Sequence, residues 1–421
     1  MKSHDHSDFP KEAVQALRGY FSKGDILISL PHRLLYAHDA SAYRVIPKGI
    51  VFPKNEKDIQ FLCNWAHDFN IPLTFRSAGT SLSGQAIGDG LIVDCSKHWK
   101  KMSYDANDDI VYVQPGIIGG HVNSFLYSHK RKIGPDPASI NACMMGGILA
   151  NNASGMCCGI SNNSYHTIAS ITCILPNGCI IDTQDPSATE QIQKQAPHLY
   201  EGLISIRDEI QQSPKLIEKI RNKYRLKNTV GYCLNAFLDE KDPVQIMKRL
   251  FIGSEGTLGF IAKAGLYTIP ALPFAATAIL FFASIDEACS AIPLLAQTQP
   301  SAMEIMDRAA LRSIEMQKGA PEIISSLPED GTGILIEYQS DSQAALHHML
   351  DECSVVINKL HLLENPHFTE DITIRADYWK IRKGMFPSIG ASRARGTGII
   401  NEDIAVPIES LSAAVKDLRI L

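Results

Sequence analysis

Between Pro137 and Ile181 the chain goes 45 residues without one Asp, Glu, Lys or Arg, although 20% of the whole sequence is charged. That absence excludes a solvated surface segment. Six Asn and five Gly in the same stretch break it up, so it also lacks the roughly 18 consecutive apolar residues of a membrane span. No pair of the ten cysteines has C-x-x-C spacing, which removes zinc knuckles and cysteine-held iron–sulfur clusters, and thiols scattered this way suit a reducing compartment. The N-terminus has no apolar core of a secretory signal, so the expected address is the cytoplasm, with peripheral membrane contact left open. A net charge of −5 without long single-sign blocks argues against nucleic acid as a partner. Two nucleotide-binding patterns are missing as well. No G-x-G-x-x-G follows a strand-like run, and the Gly79 to Gly84 spacing of a Walker A loop meets Gln85 and Ala86 where Lys and a hydroxyl are required.

What remains is a long chain of 421 residues, beyond the size of one hydrophobic core, with polar side chains buried in its middle. A buried amide or hydroxyl needs a hydrogen-bond partner. An enclosed polar ligand would supply partners to Asn151 and Asn152, and Gly146, Gly147, Gly155 and Gly159 would let it approach the backbone. A core segment packed through small residues explains the same composition, and on this stretch alone both readings stand.

Residues 1–42 read as a helical lead-in, Glu12 to Phe21, followed by an irregular arm. From Tyr43 a β-α-β unit follows: an apolar run, a helix starting at Asn55 with Ile59, Leu62, Cys63, Ala66 and Phe69 at helical spacing, and a strand from Ile71 to Phe75, the unit ending at Arg76. RSAGTSLSGQAIGDG, Arg76 to Gly90, then offers consecutive backbone N–H groups suited to a phosphate, or else is a flexible Gly/Ser surface loop. Strand-like IVYVQPG and a helix from His121 to Tyr127 come next, and Asn177-Gly178 between apolar runs predicts a hairpin. The polar stretch 187–250 has helical spacing, with Ser205 to Tyr224 a solvated helix or linker. FIGSEGTLGF is a third glycine-rich loop, or simply a bulged strand. From residue 271 strands alternate with helices, predicting an α+β sheet with helices on one face. Lys380, Arg382, Lys383, Arg393 and Arg395 then fall close together, where an Arg can fork a carboxylate.

Four segments, RSAGTSLSGQ, GPDPASI, GGILANNASGMCCG and GSEGTLGF, resemble in order the FAD-linked oxidoreductases of the vanillyl-alcohol-oxidase fold. The similarity is to the branch of D-lactate and D-2-hydroxyglutarate dehydrogenases, related to the flavin subunit of glycolate oxidase, and spans residues 43–421. It implies an α+β protein: a two-subdomain PCMH-type FAD-binding domain over 43–270, then an α+β substrate or cap domain over 271–421. It also implies a cofactor site. Arg76, Ser77, Ala78, Gly79, Thr80, Ser81, Gly84 and Gln85 would wrap the FAD pyrophosphate. Pro135, Gly146, Gly147, Asn151, Ser154 and Gly155 would line the flavin, with Glu255 and Gly259 closing the cavity. Thr80 stands where some relatives carry a flavin-linking His, so the FAD is expected to be non-covalent.

The implied reaction is oxidation of a D-2-hydroxy acid, D-lactate or D-2-hydroxyglutarate, to the 2-oxo acid with hydride passing to flavin N5, and Arg382 matches the family's carboxylate-binding Arg, with Arg393 in reserve. The substrate partner is thus a small hydroxy acid; the electron acceptor is not readable. Asn401-Glu402-Asp403 departs from a family pattern that places Lys just before the Asp. The family's H-x-G-D-G-N-x-H segment has no counterpart, leaving the catalytic base unknown, and IESLSAAVKDLRIL ends on an apolar helical face. The expectation is a second domain cut short, the N-terminal portion of a longer enzyme. The alternative is a flavin-binding subunit that turns over only with a partner carrying the histidines.

Overall fold

A computed structural model describes residues 9–317, 319–399 and 404–420, and these divide into two compact units, the first ending at Pro270 and the second starting at Ala271.

In the first unit a four-stranded sheet is built from β1 (Ile26–Leu27), β2 (Gly49–Val51), β3 (Leu73–Arg76) and β4 (Leu91–Asp94), in the order β1-β2-β4-β3. β2, β4 and β3 are parallel, so a crossover must join β2 to β3. Helix Glu56–Phe69 is that crossover. Its start is fixed by the Asn55 side chain, which accepts from the Asp58 amide, and Asn70 ends it with φ 49°. Ile59, Leu62, Cys63 and Trp65 are buried beneath it. Helix Lys11–Tyr20 docks on it: Trp65 Nε1 donates to the Ala13 carbonyl at 3.0 Å, and Tyr20 stacks on Phe61. Lys54 and Lys97 donate to Asp25, a buried carboxylate before β1, and hold it far below the usual carboxylate range.

The second sheet of this unit uses β5 (Met102–Asp105), β6 (Ile110–Val113), β7 (Arg131–Ile133), β8 (Ile168–Ile174), β9 (Ile180–Asp182) and β10 (Phe260–Pro270). Its order is β5-β6-β10-β8-β9, all antiparallel, with β7 also pairing β10. The hairpin forms as expected at Asn177-Gly178, Gly178 having φ 80° and the Asn177 side chain accepting from the Cys179 amide. The charged stretch forms two helices, Pro197–Gln211 and Pro214–Lys223, which bury Leu203, Ile210 and Ile220 and leave most charges in water.

The second unit holds β11 (Phe274–Phe282), β12 (Ala302–Met306) and β13 (Thr332–Ser340), antiparallel in the order β11-β13-β12. Alternation sends Ile334, Ile336 and Tyr338 to one face, packed with Ala288, Leu295 and Leu346 from helices Ile285–Ala296 and Gln343–Ile357. Leu335, Ile279 and Phe281 go to the other face, where Ile381 and Met385 of helix Ile372–Ser392 cover them. The expectation of helices on one face is therefore corrected to both. Arginines interrupt the apolar spacing of Ile372–Ser392, and those arginines are paired to carboxylates on the sheet. Among the described residues no helix is long and apolar enough to cross a membrane.

Candidate functional site

The first unit carries its unusual chemistry where β3 and β4 end. Arg76 is the last residue of β3, and the loop after it turns at once: Gly79 adopts φ 69° and tucks against the Arg76 guanidinium. Arg76 Nη1 donates to the Ala86 carbonyl at 3.1 Å, which closes the loop into a ring. Ser81 Oγ contacts Gln85 Oε1 and accepts from the amides of Ser83 and Gln85, both at 3.2 Å. Gly84, with φ 85°, lies against the Tyr43 ring. The main-chain N–H groups of residues 78 to 82, which include Ala78 and Thr80, find no acceptor among the described residues. Consecutive open main-chain donors, half-buried except at Leu82, are the kind of donor set an anion takes.

The uncharged stretch meets this loop directly. Ser77 Oγ donates to the Pro115 carbonyl, which also accepts from the Gly146 amide at 2.9 Å. A Cβ on Gly146 would stand 2.7 Å from Ser77 Oγ and from Pro115 Cβ, so only glycine fits between the two. Gly147, one residue on in helix Met145–Asn151, is exposed, and a Cβ on it would meet only open space beyond its own turn of helix. The third glycine-rich loop joins the same helix: Gly253 and Glu255 donate from their amides to the carbonyls of Leu149 and Ala150, and Asn151 Nδ2 donates to Glu255 Oε1 at 2.7 Å. Glu255 has φ 53°, and burial raises its pKa against the opposing pull of the Asn151 bond. Asn152 serves the fold, ending the helix at φ 51° and accepting from the Tyr165 amide. Gly259 backs onto the Ile174 carbonyl, and Pro135 is buried. Asp136 accepts from the amides of Cys157 and Cys158, which folds the Ser154-Gly155 turn so tightly that a Cβ on Gly155 would collide with the Asp136 backbone.

A cleft of 280 Å³ opens at this junction, lined by Leu35, Tyr36, Arg76, Ser77, Ala78, Asp94, Ser96 and Met144. Several of these were missed from sequence. Tyr36 donates to the buried Asp94 at 2.7 Å, Asp94 also accepts from the Ser96 amide, and Arg76 lies over the Tyr36 ring at 5.2 Å. Burial and the Asp94 bond push the Tyr36 hydroxyl well above its usual pKa. The signal for Asp94 was present, a carboxylate closing the apolar run LIVD, whereas nothing local marked Tyr36. The N-terminal arm supplies Tyr36 and also Asp39, which accepts from the Ala86 amide.

These residues fit FAD. The diphosphate requires anion donors, which residues 78 to 82 provide, and the dinucleotide requires open backbone, which Gly147 provides.

In the second unit Arg382 has its guanidinium engaged. Its Nε and Nη2 both donate to Glu304 Oε2, at 2.9 and 2.6 Å. Arg393 is exposed and donates to the carbonyls of Thr397 and Gly390. One turn before Trp379, Arg375 pairs with Glu337, a buried carboxylate that also accepts from Thr277 and from Trp379 Nε1. Asn401-Glu402-Asp403 lie outside the described residues. No group of three metal-ligating side chains occurs among those described.

Comparison with known proteins points to the same cofactor. A family of FAD binding domains matches residues 47–184, and the family of C-terminal domains of FAD linked oxidases matches 272–421. The expectation of a second domain cut short gains no support from that second match. The chain is 23% identical to D-2-hydroxyglutarate dehydrogenase of Pantoea ananatis, over 97% of this chain and 42% of that protein. It is 24% identical to D-lactate dehydrogenase [cytochrome] 1, mitochondrial, of Saccharomyces cerevisiae, over 89% of this chain and 56% of that one. Glycolate oxidase subunit GlcD of Escherichia coli is 23% identical over 90% of this chain and 65% of its own length. The chain therefore spans about two fifths of the hydroxyglutarate dehydrogenase it matches. Among solved structures, an alkyldihydroxyacetonephosphate synthase superposes with a TM-score of 0.69 at 16% identity, over 98% of this chain and 76% of the other, which shows a shared fold.

Proposed function

We propose, from the match of residues 47–184 to FAD binding domains and of 272–421 to the C-terminal domains of FAD linked oxidases, that the chain oxidises a D-2-hydroxy acid, D-lactate or D-2-hydroxyglutarate, to the 2-oxo acid. The observation that carries this reading is the meeting of the open amides of residues 78 to 82 with Gly146, Gly147 and the Asn151–Glu255 pair inside one unit. FAD, when bound, supplies the two-electron acceptor for the hydrogen leaving C2. The chain's residues do the holding. The amides from Ala78 to Leu82, with Ser77 and Ser81, take the diphosphate. Arg76 braces the loop from behind rather than reaching into it, since its guanidinium is committed to Ala86 and Tyr36. Thr80 offers no imidazole for attachment, so the cofactor is held without a covalent bond.

A second reading is favoured by a sequence fact: the chain contains no H-x-G-D-G-N-x-H segment, and His347 and His348 are exposed and pair with Glu370 and Glu352. In that reading the chain binds FAD and turns over only beside a segment that brings the histidines. The test is an absorbance spectrum of the purified chain followed by anaerobic addition of D-lactate or D-2-hydroxyglutarate. Bleaching of the flavin bands by the chain alone supports the first reading. Bleaching only after a separately expressed histidine-bearing segment is added supports the second, and a chain that never takes up FAD refutes both.

A further inference from the structure

Residues 77–86 are rich in Gly and Ser, a composition that moves as a flexible linker unless something holds it, and ordering such a run on binding weakens affinity. The start of the loop is fixed by Ser77 on the Pro115 carbonyl, and the bonds from Arg76 to Ala86 and from Ser81 to Gln85 close it on itself. Its far side is held from outside, by the N-terminal arm. Tyr36, directly after helix Leu30–Leu35, sets its ring 5.2 Å from the Arg76 guanidinium and donates from its hydroxyl to the buried Asp94 at 2.7 Å, so one side chain spans the ends of β3 and β4. Asp39 accepts from the Ala86 amide at 3.4 Å. The Tyr43 ring lies on Gly84, where an added Cβ would come within 3.1 Å of it. The arm is anchored in its turn: Arg33 Nε donates to the Pro47 carbonyl at 2.6 Å, the Val45 amide to the Ala37 carbonyl at 3.0 Å, and Ala37 is fully buried. All three contact residues nevertheless precede residue 47, where the match to FAD binding domains begins.

We propose, resting on the diphosphate role given to this loop above, that the arm is a built-in brace which holds the amides of residues 78 to 82 in place before the cofactor arrives, with Tyr36 as its chief positioning residue. Tyr36 and Asp39 act through the loop, not on the cofactor. A carboxylate facing a diphosphate would repel it, and the Asp39 oxygens are instead turned onto the amides of Ser41 and Ala86. Arg76 and Asp94 are register partners on β3 and β4, opposite charges at the mouth of the loop. The Tyr36 ring draws the guanidinium by its face while its hydroxyl occupies the carboxylate. With Tyr36 gone, Arg76 is free to turn onto Asp94, and the bond to Ala86 that closes the loop is lost.

The experiment is fluorescence titration of the full FAD-free chain with FAD and, separately, with riboflavin, for wild type, Y36F, Y36A and D39A, beside thermal unfolding of each FAD-free protein. The expected result is FAD affinity lowered about three- to tenfold in Y36F and D39A and at least about tenfold in Y36A, with riboflavin affinity held, because riboflavin has no diphosphate for the loop to grip. A merely structural role weakens both ligands together, in step with the melting temperature, and that outcome overturns the brace. A preference for FAD over riboflavin that stays at its wild-type value in all three variants also overturns it, while leaving the diphosphate site standing. Equal affinities for the two ligands in wild type sink the diphosphate site itself, and the brace falls with it. Should Y36A fail to fold, Y36F, which keeps the ring, and D39A decide by the same ratio of affinities.

Discussion

Gly147→Ala separates a ligand site from an ordinary core, because the two predict opposite signs. Gly147 sits inside helix Met145–Asn151, and a Cβ there meets no atom beyond its own turn of helix within 4 Å. In the empty protein the substitution is free of clashes and gains the helix preference of Ala over Gly, about 0.8–1 kcal/mol. That raises the melting temperature of the FAD-free chain by a few degrees at most. If the open space belongs to the cofactor, the same methyl displaces it, and overpacking of this kind costs about 1–3 kcal/mol. At 1.4 kcal/mol per decade, the FAD dissociation constant rises about 5- to 150-fold. Gly146→Ala is the companion: its Cβ would press on Ser77 and Pro115 at 2.7 Å, so it destabilises the empty protein as well. The assay is paired, thermal unfolding of the FAD-free chain and fluorescence titration with FAD. Gly147→Ala binding FAD as wild type does would refute the reasoning, because the space facing Gly147 would then lie outside the site.

Glu337→Gln leaves Arg375 without its buried counter-charge and lowers stability by about 3 kcal/mol in urea unfolding of the full chain, without changing FAD content. Asp25→Asn removes the acceptor shared by Lys54 and Lys97; as both lysines are about half exposed the loss is about 1–2 kcal/mol. Because the folded-state pKa of Asp25 is depressed, that contribution is present above the unfolded carboxylate pKa and fades as pH falls, so the wild-type and variant unfolding curves converge in acid. Glu255 has the opposite sign. Its pKa is raised in the fold, so ionisation at neutral pH works against the FAD-free protein; at pH above the usual carboxylate range Glu255→Gln raises its melting temperature, and the gain vanishes at lower pH.

Much of this site was legible because it is built from backbone, and backbone needs leave marks in composition. Glycines at 79, 146 and 155 mark close approach, but the absence of charge from Pro137 to Ile181 marks enclosure only in part: Asn152 and Asn163 are buried, whereas Ser139, Asn141, Gly147 and Ser161 are exposed. The crossover helix was legible through its cap at Asn55 and its apolar spacing. What stayed hidden depends on contacts distant in sequence. Tyr36 reaches Asp94 across 58 positions, and nothing near Tyr36 marks that partner. Arg382 reads as a free cation until Glu304, 78 positions earlier, is seen to hold it. Arg308, inside SAMEIMDRAAL, carries no local sign of its burial, which only the fold shows.

The central claim is that main-chain amides after Arg76 grip the FAD diphosphate, and comparing FAD with riboflavin as ligands of the FAD-free chain tests it most directly. Riboflavin carries the ring system without phosphate. Two or more charge-assisted bonds at about 1.5 kcal/mol each predict FAD binding at least about a hundredfold tighter by calorimetry. Equal affinities for the two ligands would contradict the account, since the loop would then contribute nothing to cofactor binding.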